Sequence, residues 1–190
     1  LSVQKARIDN LTTGATTASS LKAYLLSAST GFNYQGHSIG IKSITIDGKG
    51  HTINGKKLSR IFTIVNGNLT LKNVTIANAN EGKASVIYSN TETIINIVNS
   101  TLINNKGDYL IYIPDGFFNI ADCEFYNNAP QWEIIYCEVE YKNIALNITN
   151  STFNNPQLYF TLDISSRDLN VINCTFENAE FVLSEIPSLN

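Results

Sequence analysis

Charged side chains are scarce in this chain of 190 residues: Asp, Glu, Lys and Arg together make up 15%, against a usual share of about 25%. The solvent face must therefore be built from Asn, Ser and Thr. Basic residues number 13 against 16 acidic ones, for a net charge of −3. No basic footprint for nucleic acid or an anionic membrane is present. No apolar run approaches the roughly 20 residues of a membrane span. Methionine is absent and the chain opens at Leu1 without a signal-peptide pattern, so it reads as a processed form or a piece of a longer protein. Cysteine is sparse and odd in number: Cys123, Cys137 and Cys174. That gives no disulfide framework, and the thiols read as small buried core groups. No C-x-x-C or His/Cys cluster calls for zinc, and His37 and His51 stand apart. Neither a metal nor a cofactor is expected.

What is present is an apolar content of 43%, which sets disorder aside, in a length that suits one elongated domain. The stretch IINIVNSTLINN, from Ile94, sets four asparagines among apolar residues. Its context is a repeat. LTLKNVTIAN from Leu69, INIVNSTLIN from Ile95, FNIADCEFYN from Phe118, LNITNSTFNN from Leu146 and LNVINCTFEN from Leu169 align without gaps. A second row, Ile64, Tyr88, Tyr112, Tyr136 and Phe160, recurs every 24 residues. Two rows of matching period, strand-like alternation and no helix per repeat mean a β-solenoid.

The first, third and eighth positions of the repeat are apolar and point inward. The second, mostly Asn, points outward, as strand alternation requires. The fifth column, Asn73, Asn99, Asp122, Asn150 and Asn173, falls where alternation is interrupted. Asn tolerates the left-handed backbone of a sharp corner, and stacked amides bond along a ladder. This column is expected to form a ladder inside the solenoid, so its sequons are by-products of the turn. Asn10, Asn68 and Asn147 are the sequons expected to be exposed and available for glycosylation.

The expected fold is all-β: a right-handed parallel β-helix of about six coils, the hand following crossover chirality. Residues 36–190 form it. Residues 1–35 are expected to cap its open edge with a short amphipathic helix at about 17–28.

ITIDGKGHTINGKKLSRIF, from Ile44, followed by LTLKNVTIANA, resembles the opening coils of adhesin-like surface proteins of methanogenic archaea. It is also similar to the wider set of right-handed parallel β-helix repeat proteins and to bacterial polymorphic outer-membrane proteins, although the Gly-Gly-Ala-Ile tetrapeptide of that last branch is missing. The resemblance implies a secreted, surface-anchored, multi-domain protein with a role in attachment.

Function is expected to be non-enzymatic binding at the cell surface. The partners would be a protein or carbohydrate of another cell and flanking domains of the same chain. The triads ending at Tyr88, Tyr112, Tyr136 and Phe160 are apolar at all three places in most coils. An apolar column must then point outward. It is either the middle column (Ile87, Ile111, Ile135 and Tyr159) or the flanking pair that includes Tyr88, Tyr112 and Tyr136. The alternative is a polysaccharide lyase or glycoside hydrolase, chemistry that needs a pair of carboxylates, or a base with calcium and an arginine. Asp163, Arg167 and Asp168 share one loop and are the best candidates, although such a trio also makes an ordinary solvated turn.

Overall fold

The computed structural model describes residues 43–58, 60–64, 67–137, 145–163 and 168–184. The expected cap and Asn10 lie outside these. The first coil consists of β1 (Ser43–Asp47), β2 (Thr52–Asn54) and β3 (Phe62–Ile64). The second holds β4 (Asn68–Lys72), β5 (Thr75–Ala77), β6 (Asn80–Glu81) and β7 (Ile87–Ser89). The third and fourth repeat the plan with β8 (Glu92–Val98), β9 (Thr101–Ile103) and β10 (Lys106–Ile113), then β11 (Asp115–Ala121), β12 (Glu124–Tyr126) and β13 (Ala129–Cys137). Two further rungs follow: β14 (Ala145–Thr149) with β15 (Thr152–Asp163), and β16 (Asp168–Ile172) with β17 (Thr175–Ser184).

Like strands stack on like. The first sheet runs β1-β4-β8-β11-β14-β16, the second β2-β5-β9-β12-β15-β17, and the third β3-β7-β10-β13 with β6 beside β10. Every pairing is parallel. The chain is thus a parallel β-solenoid in which five turns link the six rungs of the first sheet. No helix occurs among the described residues.

The ungapped alignment is the observed register in the first two sheets. Leu69 lies beside Ile95, Ile95 beside Phe118, Phe118 beside Leu146, and Leu146 beside Leu169. Leu71, Ile97, Ile120 and Ile148 make the companion column and are fully buried. In the second sheet, Ile53, Ile76, Leu102, Phe125 and Phe153 fill the interior. Phe125 and Phe153 stack at 4.5 Å, and Phe153 and Phe176 at 5.1 Å. Burying one such side chain is worth about 1.5–3 kcal/mol, so these columns hold the fold together.

The corners follow from backbone chemistry. Asn73, Asn99, Asp122, Asn150 and Asn173 all have positive φ, between 46° and 56°, which Asn and Asp accept more readily than other side chains. The ladder forms, but outside the solenoid, where Asn99, Asp122, Asn150 and Asn173 are exposed. Asn99 Nδ2 donates to Asn73 Oδ1 at 2.7 Å, and Asn73 Nδ2 to Asp47 Oδ1 at 3.0 Å. Asn173 donates to Asn150 at 3.0 Å, and Asn150 to Asp122 at 3.1 Å. The expected interior position was wrong because a left-handed residue resets the alternation. The residue after it turns inward instead: Val74, Ser100, Cys123 and Ser151 are the buried ones.

A second corner closes the second sheet. Asn78, Asn104, Asn127 and Asn178 have φ of 50–56°. After Asn78, Asn104 and Asn127 the next residue again turns inward, and two of these three are asparagines. Asn105 and Asn128 are buried. Asn105 Oδ1 accepts from Ala79 N–H at 2.9 Å, its Nδ2 donates to Ile76 C=O at 3.1 Å, and Asn128 Nδ2 donates to Leu102 C=O at 2.8 Å. These amides satisfy backbone groups that the corner would otherwise leave buried and unpaired.

Candidate functional site

The third sheet carries the triads. Ile87, Ile111 and Ile135 are fully buried, as are Val86, Leu110 and Ile134 behind them. The middle column therefore cannot be the outward one, and those three isoleucines leave the candidate contact face. The outward column is tyrosine. Tyr88 and Tyr112 stack at 5.2 Å, Tyr112 and Tyr136 at 5.5 Å, and Tyr109 stacks on Tyr136 at 4.5 Å. Tyr159 sits on β15 beside Glu180 of β17; its side chain lies outside the described residues.

The tyrosine column is closed over by cations. Lys83 Nζ stands 4.0 Å from the Tyr112 ring centre and 5.4 Å from that of Tyr88. Arg60 stands 4.7 Å from Tyr88 on the other side, held by Nε donating to Ala84 C=O at 2.6 Å. Burial pulls the Arg60 guanidinium below its usual range, with Glu81 and Tyr88 opposing. A cation over a ring face is attracted by the ring quadrupole. Tyr112 is 3% exposed, and Tyr88 and Tyr136 are half-buried. The row is also offset by one residue in its first coil. Tyr88 lies beside Thr63, and Ile64 beside Ser89, because the loops flanking this sheet change length while the spacing stays constant.

Apolar exposure is found elsewhere, at Leu58 in a turn (67%) and otherwise on strands. Ile94 (β8), Phe117 (β11), Tyr126 (β12), Trp132 (β13) and Ile172 (β16) are 38–56% exposed. Ile94 and Phe117 are side by side on the outside of the first sheet. Next to them runs an outward amide column. Asn96 donates to Thr70 Oγ1 at 3.3 Å, Asn147 to Asn119 Oδ1 at 2.6 Å, and Asn170 to Asn147 Oδ1 at 2.8 Å. The sequence reading saw this column as polar but missed the exposed apolar row beside it. Its signal was Ile94 and Phe117, each immediately preceding an inward residue.

Asn147, one of the sequons expected to be exposed, is half-buried in this amide column, bonded both ways. Asn68 is half-buried too, and its Oδ1 accepts from Ile94 N–H at 2.9 Å. Of the enzymatic trio, Asp168 is exposed and opens β16 beside Ala145; Arg167 and the Asp163 side chain lie outside the described residues. Cys123, Cys137 and Cys174 are free thiols. Among the described residues no three His, Cys, Asp or Glu side chains are grouped to hold a metal ion, and no helix is long and apolar enough to cross a membrane. The chain matches no known protein-family model, no curated protein and no solved structure.

Proposed function

We propose that this chain is a non-enzymatic binding module of a secreted or cell-surface protein of the adhesin type, attaching to cells or glycans through the outer faces of the solenoid. One observation carries the reading. Besides Leu58 in a turn, five large apolar side chains stand exposed on strands, Trp132 and the adjacent pair Ile94 and Phe117 among them. A sheet that needed only to fold and stay soluble would place Thr, Ser or Lys there. Contact residues fixed on strands lose little entropy on binding. The resemblance of residues 44–79 to methanogen adhesin-like proteins supports the same reading.

The test is attachment. Beads coated with the protein should adhere to a panel of microbial cells or to a glycan array, and Trp132→Ala or Phe117→Ser should weaken the binding. Absence of attachment by the wild-type chain across such panels would end this reading. Turnover of uronic-acid polymers, measured by reducing ends and lost in Asp168→Ala, would replace it with a polysaccharide-active enzyme.

A further inference from the structure

On the outside of the first sheet, the centre of β8, β11 and β14 is a charge-free plane. Its middle column is amide on three successive rungs: Asn96, Asn119 and Asn147. On one side stand Ile94 and Phe117, 42% and 38% exposed. On the other stand Val98 and Ala121, paired in register. The charges on these strands, Glu92 and Asp115, are at the strand starts, away from the plane.

The amides are held in place and only partly used. Asn147 gives one N–H to Asn119 at 2.6 Å and takes one from Asn170 at 2.8 Å. Each amide has two N–H donors and two acceptor lone pairs, so a donor and an acceptor of Asn147 remain for a ligand. Groups fixed in this way lose little freedom on binding. The array repeats at the strand spacing of about 4.8 Å, close to the advance of one pyranose ring in an extended polysaccharide. A pyranose has apolar C–H faces and a rim of hydroxyls, the two chemistries that stand here in adjacent columns. The cation beside the plane, Lys72 next to Val98, is paired with Asp47 at 3.4 Å, so an anionic polymer would find no unpaired cation there.

We infer that this face binds a neutral, extended polysaccharide laid along the solenoid axis, about one sugar to each rung. The inference rests on the binding-module reading and names its ligand class and its surface. The tyrosine column lies on another sheet, with Arg60 and Lys83 over Tyr88 and Tyr112.

The experiment is a depletion assay of the full chain on insoluble cellulose, chitin and mannan, with polygalacturonate as the charged comparison. Phe117→Ser and Asn119→Lys change different columns, so a variant that misfolds leaves the other to decide. Thr101→Ala is the control, on the second sheet. Wild type should bind at least one neutral polymer in preference to polygalacturonate. Each face variant should weaken binding by about tenfold or more, and Thr101→Ala by less than about twofold. Three results would overturn the inference: no binding to any neutral polymer, a preference for the charged one, or face variants that bind like wild type. A wild-type dimer in ultracentrifugation that Asn119→Lys dissolves would assign the face to a second copy and also overturn it. Cell attachment lost with Trp132→Ala but kept with Asn119→Lys would remove this inference and leave the binding module standing.

Discussion

Replacing Phe153 by alanine tests the solenoid core where it is most enclosed. The side chain is fully buried, with rings at 4.5 Å on one side and 5.1 Å on the other. Phe→Ala in a packed interior costs about 3–5 kcal/mol. Here two ring pairs are lost at once, each worth about 1 kcal/mol beyond its area. Relaxation offers little relief, because the rungs above and below are fixed at about 4.8 Å by backbone ladders. The cost should reach the upper end, about 5 kcal/mol. Phe176 occupies the same column but is half-buried near the last rung, so Phe176→Ala should cost about half as much. Thr101 points outward, and Thr101→Ala should stay within about 0.5 kcal/mol. Denaturant unfolding of the three variants, followed by circular dichroism and Trp132 fluorescence with slopes compared, measures the order. Hydrogen exchange at β12 and β15 would show whether the loss stays local, as coupling between neighbouring rungs implies. Phe176→Ala matching Phe153→Ala, or Thr101→Ala exceeding either, would refute the column argument.

Asn99 holds φ of 46°, so Asn99→Ala should cost about 1–2 kcal/mol and Asn99→Gly distinctly less; equal melting shifts would count against backbone conformation as the cause. Asp122 accepts from Asn150 but, as a carboxylate, cannot donate back toward Asn99. Asp122→Asn should therefore gain about 0.5 kcal/mol by joining the two ladders, and a fall in melting temperature would contradict this. The hydrogen bond from Asn73, then that from Lys49 N–H, holds Asp47 below its ordinary 3.8. A depressed carboxylate contributes stability that is complete above the ordinary value and is lost as pH falls below it. The acid limb of the melting-temperature profile should flatten in Asp47→Asn, and an unchanged limb would disprove the coupling. Burial pushes the Cys123 thiol up to about 11, so at mildly alkaline pH it should resist iodoacetamide in the folded protein and react once unfolded, as read by peptide mass mapping. Equal rates in the two states would overturn its burial.

The strands of the first two sheets were legible because their pattern is enforced twice, by alternation along the strand and by stacking across rungs. Leu69, Ile95, Phe118, Leu146 and Leu169 could be aligned by eye and are neighbours in space. Alternation cannot be carried through a left-handed residue, and there the reading failed. The ladder at Asn73 and Asn99 came out external, and the buried pair Asn105 and Asn128 was missed although the doublets Asn104-Asn105 and Asn127-Asn128 mark it. The stretch from Ile94 shows all the uses of one residue type. Asn96 stands in the outward amide column, Asn99 and Asn104 make two corners, and Asn105 repairs the backbone inside. In the third sheet a constant spacing of 24 hid the shift that sets Tyr88 beside Thr63. The candidate site was the least legible part. The triads drew attention as the most repetitive apolar feature, but repetition there serves the core and a cation-covered stack.

The external ladders also have a direction. In each, the later rung donates and the earlier accepts: Asn99 to Asn73 to Asp47, and Asn173 to Asn150 to Asp122. The outward amides of the first sheet point the same way, Asn170 to Asn147 to Asn119. Every amide dipole in these rows has its positive end toward the start of the chain and its negative end toward the finish. Stacked head to tail they add, as peptide dipoles do along an α-helix. The solenoid thus builds an axial field from side chains, among described residues that contain no helix. The two rows of the first corner begin on an aspartate, Asp47 or Asp122, which sets a negative charge at the positive end of its row, the place where an acidic residue stabilises a helix.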